Sequence, residues 1–341
     1  MKAYNQPIFF QSNRVRRIYT GGKLFSVFFD DNSEDGFFPE EWVCSTTRAL
    51  NSDSADQYEG ISVTEDGEYF DELLREHSHE LLGERNELGI LVKILDSAIR
   101  LPVQTHPDRA FSMRHFGSPH GKAESWVVLA TREDACIYFG FKKLVSREEF
   151  RRALDSGDAA LLPLLNRIPV KSGDVFFIPA RAVHAIGAGC LILETQEPTD
   201  FTIQPEATCG EYVLNDYEKY LGLSAEDAFS CFDMGFTAER AAACSRTCAK
   251  GEKALITERD TPCFSVNRYI LENEESEKLA GPAIYVVTGG AGDLVGDGYA
   301  RCLKRGDYFF MPHSASGKYR FHTAQQELQV IQCLPPKTAD K

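Results

Sequence analysis

Ser172–His184 reads SGDVFFIPARAVH, and the order of residue types in it decides how the rest of the chain is read. Gly173-Asp174 supplies a turn, Val175–Ile178 a short apolar run of strand character, and Pro179 a break. His184 stands five residues beyond that proline, on the next strand. The unit recurs 133 residues on, where Gly306–Pro312 reads GDYFFMP against GDVFFIP. The second copy carries Gly317 at the offset where the first carries His184, so one copy offers a metal ligand and the other cannot. A repeated strand–turn–strand with Gly and Pro at fixed offsets predicts a mainly β fold of two β-barrels or jelly rolls with helical insertions.

The bulk properties narrow the function classes. A chain of 341 residues holds two domains or one large one, and 43% apolar content suits an ordinary globular protein. No apolar run approaches the roughly 18 residues of a membrane span. The opening MKAYNQPIFFQSNRVRR lacks the charged head and long apolar core of a secretory signal. The net charge of −14 argues against nucleic acid and anionic membrane surfaces as partners, and means that an anionic substrate needs a local cluster of Lys and Arg. The ten cysteines contain no C-x-x-C pair. Cys244 and Cys248, four apart on an expected helix, read as small packing residues in a reducing cytoplasm.

Taken in order, residues 8–45 read as short strands. Residues 66–84 place Phe70, Leu73, Leu74, His77, Leu81 and Leu82 at helical spacing before a stop at Gly83, with His77 and His79 on the surface. Residues 88–108 read as two β-rich runs joined at Asp96-Ser97. In the second run Gln104 and His106 share a face, because residues two apart on a strand do. Met113–Gly121 reads as a loop. KAESWVVLA then puts Glu124, Trp126 and Val128 on one strand face, and a buried carboxylate there needs a partner, of which a cation is the simplest. Residues 146–165 read as helical behind the Ser146/Glu149 capping box, interrupted at Gly157. Residues 215–250 read as helices with Ser224 as a cap, and 262–333 as strands and Gly-rich turns. The tail Pro335–Lys341 is expected to be loose. The domain reading is a metal-binding barrel over 1–214, a helical segment over 215–260 and a second barrel without metal ligands over 261–341.

Gln104, His106, Glu124 and His184 form the constellation that can carry chemistry. Two imidazoles, a carboxylate and an amide oxygen suit zinc, or another divalent first-row ion. Other conspicuous residues read as structural or solvated. Gly289–Gly292 is expected to form hairpin turns, since no helix follows it to make a phosphate loop. His313 and His322 lack acidic or Gln partners at matching offsets. His115 and His120 flank a loop near the site, and the acidic run 272–278 reads as a solvated hairpin tip.

The stretch Gly173-x5-Pro179-x4-His184 resembles the second cupin motif, with Arg181 where that motif has a glycine. More narrowly, VQTHPD, KAESW, GDVFFIPARAVHAIG and LETQEPTD resemble the type I, zinc-dependent mannose-6-phosphate isomerases over roughly residues 35–204, and more loosely beyond. The resemblance implies two cupin (jelly-roll) domains and one Zn2+ per chain, held by Gln104, His106, Glu124 and His184. It matches Lys122 and Lys93 to active-site lysines. The activity implied is interconversion of mannose 6-phosphate and fructose 6-phosphate through a cis-enediol, by a cytoplasmic monomer or weak homodimer whose partner is a small sugar phosphate.

The chain departs from that pattern at Gln204, which stands where family members carry an arginine. An uncharged amide cannot stabilise an enediolate or a phosphate as a guanidinium does. Two readings compete. In one, another cation takes over: Arg181 is the foremost candidate, with Arg109 and Arg114, in the loop after the first ligands, behind it. In the other, the chain is a non-catalytic or regulatory sugar-binding bicupin, or an isomerase of a related sugar phosphate. A metal cupin oxygenase is disfavoured by the Gln-containing ligand set.

Overall fold

The computed structural model describes residues 4–51, 56–324 and 326–337, so Met1–Ala3 and the end of the tail, Thr338–Lys341, lie outside it. The repeated unit is realised twice. Asp174–Ile178 and Tyr308–Met311 are strands, each entered through a glycine at positive φ, +90° for Gly173 and +93° for Gly306. The two turns share their hydrogen bonds. Asp174 accepts from the Lys171 N–H at 2.9 Å, and Asp307 from the Lys304 N–H at 2.8 Å. A left-handed glycine followed by an Asx contact is what the Gly-Asp pair is suited to make.

Around the first copy, a seven-stranded antiparallel sheet runs in the order Ser245–Thr247, Asp174–Ile178, Glu124–Thr131, Cys190–Gln196, Leu91–Ser97, Glu40–Val43 and Arg14–Val15. A three-stranded sheet of Leu165–Pro169, Cys136–Phe141 and His184–Ile186 faces it. Trp126, Val128, Phe176, Ile178 and Ile192 from one sheet pack against Ile137, Phe139 and Ile186 from the other. The opposite face of the large sheet is buried as well: Val92, Ile94, Val127, Val175, Leu191 and Leu193 meet Ile284, Val286, Phe310 and Ile331 of the second barrel. Burial on both faces explains why LVKILDS and CLILETQ read as near-continuous runs rather than alternating ones.

The second barrel is an eight-stranded sheet built on the long strand Ala283–Gly296. Gly289–Gly292 lies inside that strand, not in hairpin turns. The expected domain boundaries are crossed twice. Ile8–Phe9 pairs with Tyr308–Met311 of the second sheet, and Ser245–Thr247, in the expected helical segment, is an edge strand of the first.

Other local expectations are corrected too. Met113–Gly121 is not a loop throughout: Arg109–Phe116 is a helix, N-capped by Asp108, whose carboxylate accepts from the Phe111 N–H at 2.8 Å. The helix expected over 66–84 breaks at His77 into Phe70–Glu76 and Ser78–Leu82 before ending at Gly83. Behind Ser146 the helix spans Arg147–Asp155, and Leu165–Pro169 is a strand. Residues 101–107 carry only the isolated bridges Gln104↔His184 and Thr105↔Ile203. Cys244 and Cys248 lie beyond the helix Ala238–Ala243, and all ten cysteines are free. Among the described residues no helix is long and apolar enough to cross a membrane.

Candidate metal centre and its cavity

Three elements bring the expected ligands together. Gln104 and His184 pair through their backbones, the Gln104 N–H donating at 2.9 Å and the His184 N–H at 3.0 Å. His106 follows two residues on, and Glu124 opens the strand beside Asp174–Ile178. His106, Glu124 and His184 are each about 1% exposed, and one donor atom from each lies within 4.8 Å of the others. Gln104 is buried and lines the same cavity.

The tautomers test whether this donor set fits a cation. His106 Nδ1 lies 2.8 Å from the Phe201 carbonyl, and His184 Nδ1 lies 2.9 Å from the Ala182 carbonyl. A carbonyl only accepts, so both Nδ1 atoms carry the proton. Burial lowers the pKa of both rings, that of His184 to about 3, with the His106 ring as the next cause for His184. Both rings are therefore neutral, and both Nε2 atoms present lone pairs to each other at 3.1 Å. The ionised Glu124 carboxylate stands 3.1 Å from His106 Nε2. Facing lone pairs beside a carboxylate repel unless a cation sits among them, so the residues present fit a divalent metal.

Lys122 and Lys93 both line the cavity, in different settings. Lys122 Nζ lies 3.2 Å from Glu124 Oε1 and donates to Thr202 Oγ1 at 3.2 Å. Lys93 is 2% exposed, with Nζ at 3.5 Å from Glu40, 3.6 Å from Glu194 and 3.8 Å from Asp200, over the Trp42 ring. Strand register puts this row together: Glu194 is the cross-strand partner of both Lys93 and Trp126, and Lys93 is that of Trp42. Arg17 completes the network. Its two Nη atoms donate to the two Asp200 carboxylate oxygens, and its Nε to Glu40 Oε1 at 3.0 Å. The Trp126 indole N–H joins network and metal end, lying 3.1 Å from Glu194 Oε2 and 3.2 Å from Glu124 Oε2. Burial, then the Glu124 charge, pushes Glu194 up to about 7.

Sequence reasoning missed Arg17, Glu40, Glu194 and Asp200. The signal was available in LVKIL and LILET, where a charge at the centre of an apolar strand demands a buried partner.

The arginine candidates are not brought to the cavity. Arg181 has φ +70°, as befits a glycine position, but its guanidinium turns toward a helix end. It donates to the carbonyls of Ser230 at 2.9 Å and Cys231 at 3.1 Å, closing the C-terminus of the helix Ala225–Ser230. Arg181→Ala is therefore expected to leave kcat/KM unchanged and to lower unfolding stability by about 1 kcal/mol. Steady-state kinetics beside urea unfolding check this, and a loss of activity at unchanged stability would refute it.

Arg109 is half exposed and donates to Glu197 at 2.6 Å, and neither it nor Arg114 lines the cavity. His120 pairs with Glu87 at 2.8 Å, and the His115 ring packs at a tilt against Phe111; neither lines the cavity. Gln204 does line it. Its N–H donates to the Lys219 carbonyl and its Nε2 to the Glu218 carbonyl, both at 3.0 Å, which fastens the helix Asp216–Tyr220 beside the cavity.

A mainly β, two-barrel protein with a buried His–Glu–His cluster able to hold a metal ion is a bicupin. No protein-family profile matches the chain. It is 31% identical over 323 residues to the mannose-6-phosphate isomerase of Streptococcus mutans, covering 91% of this chain and 93% of that one. It is 30% identical to mannose-6-phosphate isomerase ManA of Bacillus subtilis, covering 90% and 93%. The crystal structure of the mannose 6-phosphate isomerase from Bacillus subtilis superposes with a TM-score of 0.72 at 23% identity, covering 96% and 99%. A phosphomannose isomerase variant from Salmonella typhimurium gives 0.71 at 15% identity, covering 97% and 100%; these superpositions establish the fold. The chain belongs to the mannose-6-phosphate isomerase family.

Proposed function

We infer that this chain is a metal-dependent aldose–ketose isomerase that interconverts mannose 6-phosphate and fructose 6-phosphate. The observation that carries the reading is the convergence of two imidazole lone pairs and a carboxylate on one point of a deep cavity, with a lysine beside them. The metal we propose is zinc, held by Gln104, His106, Glu124 and His184. When bound, it supplies electrophilic stabilisation to the oxygens of a developing enediolate.

The chain's own residues account for the remaining work. Lys122, held between Glu124 and Thr202, has ammonium hydrogens to offer a substrate oxygen. The proton that moves between C1 and C2 needs a general base within reach, and among the carboxylates of the cavity we assign that role to Glu194. Glu40 and Asp200 have both oxygens engaged: by Arg17, Tyr19 and Trp42 for Glu40, and by Arg17 and the Leu50 N–H for Asp200. Glu194 accepts one short hydrogen bond, from Trp126, and faces Lys93 at 3.6 Å. Free cysteines throughout accord with a reducing cytoplasm as the site of action.

A coupled assay for fructose 6-phosphate, with and without chelator, tests the reading. The expected result is turnover that chelator abolishes and added Zn2+ restores. Absence of turnover with metal bound would leave a sugar-binding bicupin in its place, and chelator-insensitive turnover would remove the metal from the reaction.

A further inference from the structure

We propose that Trp126 is the positioning residue of this site: its single indole N–H orients the Glu124 carboxylate toward the metal position and, at the same time, holds the Glu194 carboxylate in place. The proposal rests on the isomerase reading above and extends it to a side chain that has no charge and no lone pair of its own to offer.

The geometry is a three-centre hydrogen bond with nearly equal arms. Trp126 Nε1 lies 3.1 Å from Glu194 Oε2 and 3.2 Å from Glu124 Oε2. Holding Oε2 of each carboxylate leaves Oε1 to face the other site groups. Glu124 Oε1 stands 3.1 Å from His106 Nε2 and 3.2 Å from Lys122 Nζ, and Glu194 Oε1 stands 3.6 Å from Lys93 Nζ. The indole also packs edge-on against His184, with 5.4 Å between ring centres and 72° between planes. One ring thus meets His184, Glu124 and Glu194 together.

The ring is fixed by its surroundings. Trp126 is fully buried, among Phe139, Phe176, Ile178 and Ile186 of the two facing sheets. Its backbone is paired on both sides, to Glu194 on one neighbouring strand and to Phe176 on the other. A side chain locked in this way gives its N–H one direction. Burial alone requires a single acceptor for an indole N–H. Here it meets two, and both are carboxylates lining the cavity. A lysine or arginine in its place would also bridge them, but would add a positive charge beside a divalent cation and beside Lys122. A neutral donor joins the two anions without that repulsion.

Trp126→Phe keeps a ring in the core and removes the N–H. Zinc affinity, read by competition with a chromophoric chelator, is expected to fall by about 10–100-fold, the usual result of removing a ligand's hydrogen-bond partner. In the zinc-saturated protein kcat should fall by about tenfold or more while KM stays within about threefold, because the N–H orients reacting groups and not the sugar. A second measurement needs no Trp126 variant. The chain has two tryptophans, so Trp42→Phe leaves Trp126 as the single emitter. Zinc titration of Trp42→Phe should shift that emission, with its midpoint at this protein's own zinc Kd. A folded Trp126→Phe protein with wild-type zinc affinity and kcat would overturn the proposal. So would Trp42→Phe emission that ignores bound zinc, which decides the matter even if Trp126→Phe does not fold. A wild type that binds zinc without turning over mannose 6-phosphate would count against the isomerase reading alone, and zinc affinity and emission would still decide the role of Trp126.

Discussion

Glu124→Gln is expected to lower both metal content per chain and isomerase turnover by about 10²-fold or more, since even the partners of metal ligands are worth roughly 10–100-fold. The substitution keeps the shape of the side chain and removes its charge. Two neutral imidazoles and the Gln104 amide would then face the cation with no anionic donor among them. Lys122 makes matters worse: its Nζ, 3.2 Å from Glu124 Oε1, would be left as an uncompensated positive charge beside the metal position. Emission spectrometry on dialysed protein reads metal content independently of turnover. His120→Ala is the matched control, because His120 pairs with Glu87 outside the cavity and should change neither quantity. A Glu124→Gln protein that keeps full metal content would take the carboxylate out of the ligand set. One that also keeps full turnover would take it out of the reaction.

The candidate metal cluster was legible because residue spacing and donor chemistry are local properties. Gln104 and His106 lie two residues apart and both reach the cavity, and His184 is tied to a turn whose Gly-Asp hydrogen bonds recur at Gly306-Asp307. The helix Arg109–Phe116 was not legible, because RAFSMRHF buries only Phe111 and Ser112 and so carries little apolar periodicity. Nor was the charge network legible, for a different reason. Its members lie at positions 17, 40, 93, 194 and 200, and only cross-strand register sets Glu194 between Lys93 and Trp126. Register is a property of paired strands, so one strand's pattern shows that a charge is buried without naming its partner. Arg181 shows the converse limit. Its closeness in sequence to His184 suggested a cation at the metal, but a left-handed backbone at that position directs the side chain to the end of a neighbouring helix.

Arg17→Met is expected to cost about 3–5 kcal/mol of stability near neutral pH, the usual consequence of removing one partner from a buried ion pair. Lys93, at 3.5–3.8 Å, would remain to balance Glu40, Glu194 and Asp200, with Lys122 assisting only at the last two. The pH dependence separates this cause from lost packing. In the wild type, burial alone would raise Glu40 and Asp200, but Arg17 and Lys93 outweigh it. They hold Glu40 at about 2 and Asp200 well below the usual carboxylate range. Folded values below the unfolded value of about 4 mean that these groups stabilise fully above it, and that the contribution is lost as pH falls through the folded values. In Arg17→Met the burial contribution goes largely unopposed and the folded values rise. The penalty is then greatest near neutrality and is relieved as acid protonates the carboxylates. The gap between the two proteins in urea unfolding should therefore narrow steadily from neutral pH to about pH 4. A gap that stays constant over that range would assign the loss to the packing of Arg17 on Trp42, 5.5 Å away, and not to the buried charges.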